Sequence, residues 1–382
     1  MSRYQICTRC VMDTTDRQIS FDQEGICNHC HDYTLAVTHH PVSPEKMADH
    51  FQEIVNRIKD DNRENEYDCV IGLSGGVDSS YLAWVLVTKY ALRPLVVHLD
   101  NGWNSKIAVQ NIQRIVRQLD IDLYTHVIQW EEFRDLQKSY FQASVVDIEV
   151  PTDHAITALV NQVAVDNSIQ YILLGTNRAT ERILPKTWSF NKNDLVNIQA
   201  IHRKYGTIPL PSYPILGLTK QWKNKLRHGL KFISPLDYLH YDKQEAKSLL
   251  QTELKWKDYG GKHHESVFTR FYQGYILPRK FNIDKRRAHF SSLINASQMT
   301  REEALEQLRN DTYPQELQQE DYVFVSKKLG CTREEFERIL DAPVRSHFDF
   351  PTDIWSKINR KYLTPGSSIR KMLVKLYYGR KI

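Results

Sequence analysis

The 382-residue sequence contains no apolar run approaching the roughly 18 residues needed to cross a bilayer. Its start, MSRYQICTRC, has no stretch of signal-peptide character. Both absences predict a cytoplasmic protein with no membrane insertion. Glycine and proline are sparse, at 15 and 14 residues, which excludes collagen-like and low-complexity chains. Strong net charge is also missing: 51 Lys and Arg against 46 Asp and Glu leave +5, too mild to argue for a nucleic-acid partner. With 41% hydrophobic and 25% charged residues, the composition is globular, and the length suggests two or three domains. One local imbalance stands out. Residues 355–382 carry eight Lys and Arg and no side-chain carboxylate, which reads either as a solvated helix face or as a docking surface.

Cysteine is scarce too, with six residues in unequal groups. Cys7, Cys10, Cys27 and Cys30 form a C-x2-C-x16-C-x2-C pattern, while Cys69 and Cys331 stand alone. In a reducing compartment such paired knuckles read as metal ligands, and four soft thiolates favour tetrahedral Zn²⁺, with an iron–sulfur cluster as the rival. His29 and His31 flank the second knuckle, but four cysteines already complete a site. A closed site has a structural role, because a segment this short cannot bury a core without metal.

Residues 39–43 read as a linker, followed by a helical pattern at Met47, Phe51, Ile54 and Ile58. Short apolar strands are expected at 69–73, 94–99, 123–128 and 171–175, alternating with helices at 80–90, 106–119 and 155–165. That alternation predicts an α/β, doubly wound parallel sheet whose ligands bind beyond the carboxyl ends of the strands. After Gly206 the pattern breaks into proline-punctuated loops, with one further helix at 243–254. Beyond Glu265 everything reads as helical, ending in a helix at 368–378. The expected organisation is a zinc-binding module (1–40), a nucleotide domain (45–260) and a helical C-terminal region (261–382).

The sharpest signal is Ser74-Gly75-Gly76-Val77-Asp78-Ser79-Ser80, which follows a strand and opens a helix. Two glycines let backbone N–H groups turn toward an anion, the helix N-terminus adds its dipole, and three serines add hydroxyls. No Gly-Lys-Ser/Thr ending follows, so this is not a Walker A loop. Asp78 would repel a bare phosphate and makes sense as a ligand of Mg²⁺.

This motif resembles the pyrophosphate loop of the PP-loop ATPases (a HUP-like fold), the superfamily of asparagine, GMP and NAD synthetases and tRNA thiolases. That resemblance implies cleavage of ATP between the α and β phosphates. It also implies nucleotide contacts from His98 and Asp100 at the end of the second strand, and from Gly175, Thr176 and Asn177 after the fourth. The cysteine knob, the loop and the segment Tyr259-Gly260-Gly261-Lys262-His263-His264-Glu265-Ser266 together resemble the N-acetyl sugar amidotransferase family of surface-polysaccharide and flagellin-sugar biosynthesis. The family's reaction, as the resemblance implies it, adenylylates an acetamido oxygen and then displaces AMP with ammonia. The ammonia comes from separate glutaminase and cyclase-like subunits, for which the basic C-terminal segment is a candidate docking surface.

Within the dense polar stretch, Lys262, His264, Glu265 and Arg287 are the candidate catalytic groups beside Asp78, as phosphate-stabilising cations and proton carriers. The bland reading of that stretch is a helix start with a basic patch. Asp153, with Thr152, reads first as an N-cap, and with His154 as a substrate contact second. Glu181, Trp188 and His202, with Asp194, lie in the long segment where an acceptor sugar would sit, or are ordinary loop residues. Two other functions remain open at this level. A tRNA thiolase would want reactive cysteines near the nucleotide, and only the isolated Cys69 and Cys331 are available; a non-catalytic scaffold would not need Asp78.

Overall fold

The structure, a computed structural model, describes residues 4–38, 42–177, 181–261 and 264–362. Five parallel strands form one sheet in the order β3-β2-β1-β4-β5: β1 Cys69–Gly72, β2 Pro94–Asp100, β3 Leu123–Val127, β4 Tyr171–Leu173 and β5 Lys231–Ile233. All four strand pairings are parallel. The expected doubly wound α/β sheet is therefore present.

Period-two alternation decides which face each strand residue covers. Val70, Leu95, Val97, Leu99 and Ile172 pack on one side, with Phe133, Leu136 and Tyr140 from the helix Trp130–Ala143 and with Leu159 and Val163 from the helix Val150–Asp166. Cys69, Ile71, Val96, Tyr171 and Leu173 pack on the other, against the helices Met47–Asp61, Lys106–Leu119 and Lys243–Leu254. The chain runs β1 to β2 to β3 in one direction and then crosses back to β4, so strand order reverses at β1. The carboxyl ends beside β1 are where a crevice must open.

Several elements differ from the sequence expectation. Helix Val150–Asp166 begins before the anticipated start, with Glu149 at the N-cap position and Pro151 in its first turn, where a missing N–H costs nothing. Thr152 and Asp153 are therefore first-turn residues and not caps. The supposed loop region after Gly206 contains the helix Leu218–His228 and the edge strand β5. That strand is only three residues long, with two of them exposed, and so leaves no periodic signal. The helices Trp130–Ala143 and Leu195–Tyr205 were also not anticipated. The helix expected at 368–378, the basic tail beyond 362 and part of the linker at 39–41 lie outside the described residues.

The three expected segments share one core. Cys7, Cys10, Met12, Cys27 and Cys30 belong to the same buried cluster as the sheet residues Val70 and Val97 and the C-terminal residues Phe268, Phe336 and Phe350. Deep in this shared core lies His347, stacked on Phe190 at 4.1 Å between centroids. Its Nδ1–H donates to Asn197 Oδ1 at 2.9 Å, and Nε2 meets no hydrogen-bond partner. Protonating Nε2 would bury a cation with no acceptor, and burial pushes the imidazole pKa down to about 3; the nearby charges of Asp147 and Lys192 act in opposite senses. Burial also lowers the pKa values of His98 and His154.

These histidines make folding pH-dependent with a definite sign. Their folded pKa values lie below the ordinary 6.5, so the unfolded chain takes up protons that the fold refuses. Stability is then complete above pH 6.5 and declines as pH falls below it, by up to about 1.4 kcal/mol per pH unit from His347 alone. Urea unfolding between pH 7 and 5 should show this slope. His347→Phe should reduce it, leaving the share of His98 and His154, while lowering stability at pH 7 by about 1–3 kcal/mol through the orphaned Asn197 side-chain carbonyl.

Candidate functional site

Backbone geometry at the end of β1 builds the site. Gly75 has φ +77°, and a Cβ there would lie 2.5 Å from the carbonyl oxygen of Ala108, so only glycine lets the turn press against the helix Lys106–Leu119. The turn is clamped from outside: Trp256 Nε1–H donates to the Gly75 carbonyl at 2.9 Å. Asn111 bridges to the same strap, donating to the Lys257 carbonyl and accepting from its N–H at 2.8 and 2.9 Å. The loop amides face hydroxyl groups. Gly76 N–H donates to Ser74 Oγ at 3.2 Å, Val77 N–H to Tyr259 Oη at 3.2 Å, and Ser74 N–H to Ser79 Oγ at 3.3 Å. The helix Val77–Trp84 then starts with Gly76 as its N-cap. Hydroxyls are weaker partners for these N–H groups than the oxygens of an anion, so the turn is chemically an anion cradle.

A cleft of about 1180 Å³ opens beside this turn. Ser74, Ser79, His98 and Asn104 line its sheet end, and Lys285, His289 and Tyr313 its far end, with Tyr259, Gly261, His264 and Glu265 between them. A short antiparallel contact holds the two halves together: Ser105 N–H donates to the Glu265 carbonyl at 2.8 Å and Val267 N–H to the Trp103 carbonyl at 2.9 Å. It brings the Glu265 carboxyl carbon to 3.6 Å from where a Gly76 Cβ would stand.

The structure sorts the sequence candidates. His98 lines the cleft as a neutral ring, its Nδ1–H donating to the Leu73 carbonyl at 2.9 Å and its Nε2 accepting from Asn104 at 3.2 Å. Asp100 lies behind, accepting from Gly102 N–H and from Asn104, which it orients toward the cleft. Asp78 points to the β4 side of the turn, where its carboxylate accepts from Asn177 Nδ2 at 3.1 Å and from the Tyr241 hydroxyl. Gly175 packs against the same turn, a Cβ there standing 3.3 Å from Ser79 Cα, and Thr176 Oγ1 meets Ser234 Oγ at 2.9 Å. Ser80 is buried and ties back to the Gly76 carbonyl at 2.6 Å. His264 and Glu265 line the cleft; Lys262 falls outside the described residues.

Four candidates lie elsewhere. Arg287 faces away from the cleft: its guanidinium pairs with buried Asp13 at 3.0 Å and donates to the Val11 carbonyl at 2.9 Å, because the neighbouring cysteine knob supplies a buried anion. His154 is fully buried, bonded to the Lys192 carbonyl and the Leu216 N–H. Trp188 is buried in the core, and His202 pairs with Asp135 at 3.0 Å. Asp153 and Glu181 do line the cleft, and Glu149 lines it as well, making an acidic wall with Asp153. Lys192 stands behind that wall, bridging Asp147 at 2.7 Å and Asp153 at 3.0 Å. Sequence reasoning passed over Tyr241, Tyr259, Asn104 and Trp256. The Tyr-Gly-Gly run could have flagged Tyr259; nothing local marks Tyr241, which is 163 residues from its partner Asp78.

The four knuckle cysteines converge, all buried, with ligand atoms within 4.8 Å of one another. Three Sγ separations are 3.7, 3.8 and 4.0 Å. Thiolates about 2.3 Å from one tetrahedral ion stand ~3.8 Å apart, so the donors fit a single metal ion. Cys10 N–H, Cys27 N–H and Asn295 Nδ2 donate to these sulfurs, and Arg301 donates to the Cys7 and Cys10 carbonyls. His29 and His31 turn away from the sulfurs to Asp16 and Asp22 at 2.8 and 2.7 Å and offer no ligand to the site.

Two family models match separate parts of the chain. Residues 50–191 match the NAD synthase family, and residues 265–362 match the C-terminal domain of the LPS biosynthesis protein WbpG-like family. Residues 50–191 are in this respect similar to PP-loop, ATP-utilising proteins. A curated relative, the uncharacterized protein MJ1599 of Methanocaldococcus jannaschii, is 24% identical over 322 residues, covering 82% of this chain and 96% of its own. Solved structures with partial likeness include the NH3-dependent NAD synthetase of Campylobacter jejuni, at 15% identity and TM-score 0.33, covering 79% of this chain and 96% of that one. Another is the U34-tRNA thiolase NcsA of Methanococcus maripaludis with its [4Fe-4S] cluster, at 14% identity and TM-score 0.32, covering 77% and 81%. Among the described residues no helix is long and apolar enough to cross a membrane.

Two outcomes test this geometry. Gly75→Ala should destabilise the fold by roughly 2–4 kcal/mol through left-handed strain and overpacking. It should also weaken ATP binding more than tenfold by calorimetry. Elemental analysis of the purified protein should find one metal ion per chain. Cys10→Ser should lose that ion and expose the 286–309 region to hydrogen exchange, since Arg287, Asn295 and Arg301 all lean on the knob.

Proposed function

We propose that the protein is an ATP-dependent amidotransferase that converts the acetamido group of an N-acetyl sugar to an acetamidino group. The observation that carries this reading is the single cleft shared by the anion cradle at Ser74–Ser80 and the WbpG-like C-terminal segment. A nucleotide held at one end is then in reach of an acceptor held at the other.

In this mechanism the cradle amides bind the β and γ phosphates of ATP, and the adenosine lies over His98 and Asn104. Asp78, steadied by Tyr241 and Asn177, is placed to hold Mg²⁺, which would neutralise the phosphate charge. Hydroxyls of the sugar face the cleft carboxylates Glu149, Asp153 and Glu181. The amide oxygen attacks the α phosphorus, forming an O–P bond as the bond to the bridging oxygen breaks and pyrophosphate leaves. This turns a poor leaving oxygen into AMP. Ammonia then adds to the imidate carbon, its surplus proton passes to Glu265 or His264, and AMP departs with the former amide oxygen. Ammonia is supplied by separate glutaminase and cyclase-like subunits, and the bound ion at the four cysteines is Zn²⁺ with a structural role.

The thiolase alternative needs a thiol at the nucleotide. Cys69 is fully buried within β1, Cys331 is half-buried, burial raises the pKa of both thiols, and neither lines the cleft.

Incubating the protein with ATP, ammonium and candidate N-acetyl sugars should yield AMP and pyrophosphate, and a sugar lighter by about one mass unit with an added cation at neutral pH. Asp78→Asn should abolish the product. Release of ADP and orthophosphate, or turnover that demands tRNA, would falsify the assignment.

A further inference from the structure

The helix Leu218–His228 is amphipathic the wrong way round. Asn224 is its one buried residue, and Gln221 and His228, three and four positions away, share the inward side. Gln221 is anchored there, donating to the Leu216 carbonyl at 3.3 Å. Trp222 and Leu226, at i and i+4, point outward at 51% and 79% exposure, and Leu226 is the most exposed large hydrophobic side chain among the described residues. Cations flank this apolar ridge: Lys223 and Arg227 lie on one side of it and Lys225 on the other. No Asp or Glu occurs between Asp194 and Asp237, so nothing in this stretch of chain neutralises them. On the strand that follows, Phe232 is exposed as well, while Lys231 is paired with Asp61 at 3.2 Å.

We propose that this helix seats the protein on an anionic lipid surface. Polar residues inward, Trp and Leu outward and Lys or Arg along the flanks form the pattern of a helix lying in a membrane interface. There the apolar ridge enters the headgroup boundary while each nearby cation is drawn to the leaflet. A stable protein interface needs 20–30 residues a side and a shaped counterpart, whereas this ridge has two large side chains on an 11-residue helix. A lipid surface requires no such shape. Nucleic acid would use the cations but has no use for Leu226, an aliphatic group that cannot stack on bases. The seating is peripheral and independent of the proposed reaction, so its failure leaves that reaction untouched.

Flotation of the full-length protein with vesicles decides the matter. It should bind phosphatidylglycerol–phosphatidylethanolamine vesicles, more weakly as salt rises, and leave phosphatidylcholine vesicles free. The W222A/L226A double variant removes no charge and touches no cleft residue. It should keep its unfolding midpoint and lower the vesicle partition coefficient at least tenfold. Absence of binding to anionic vesicles overturns the proposal. So does binding that W222A/L226A leaves intact, which would assign it to another basic segment such as residues 355–382. Retention of single-stranded RNA, lost in the same variant and without vesicle binding, would assign the face to nucleic acid and overturn it equally.

Discussion

The short antiparallel contact between residues 103–105 and 265–267 holds the candidate site together. One side of it is the turn after β2; the other opens the C-terminal helical region. Without those backbone hydrogen bonds the cradle at the end of β1 would face solvent, and Glu265 would not reach it. The strap carrying Trp256 and Tyr259 reinforces the same arrangement by gripping the cradle at Gly75 and Val77. Because these clamps act on main-chain atoms, the shape of the turn depends on segments about 180 residues away.

The cysteine knob performs a comparable bracing role at the opposite end of the C-terminal region. Asp13 is buried and paired with Arg287, and Arg301 caps the carbonyls of the first knuckle. Breaking one partner of a buried ion pair costs more than the pair contributes, since the remaining charge is stranded. A metal at the sulfurs would thus fix the helices Arg286–Asn295 and Arg301–Arg309, which carry Lys285, His289 and their neighbours at the far end of the cleft. The knob is far from the chemistry in sequence and contributes to it through position.

Charge is laid out unevenly around the cleft. Carboxylates of Glu149, Asp153 and Glu181 line it, and the cations that reach the lining are mostly occupied. Arg270 is paired in both directions with Asp321, and Arg286 is spent on Asp284 and three backbone carbonyls. In the proposed reaction Glu149, Asp153 and Glu181 would meet the hydroxyls of the sugar, and phosphate would be left to the backbone amides of the cradle. Of the dense polar set between Lys262 and Arg287, His264 and Glu265 line the cleft, whereas Arg287 is turned to Asp13.

Local chemistry made much of this protein legible in its sequence. Apolar runs marked β1, β2 and β4, glycine and serine spacing marked the cradle, and paired knuckles marked the metal-fitting cysteines. These signals are short-range, since each depends on residues a few positions apart. Tertiary structure alone decided which polar residues face the cleft. Arg287 turned to Asp13, His154 and Trp188 went into the core, and Tyr241 came from 163 residues away to hold Asp78. The reason is physical: a buried charge or hydrogen-bonding group goes where its partner is, and the partner's place is set by the packing of distant elements.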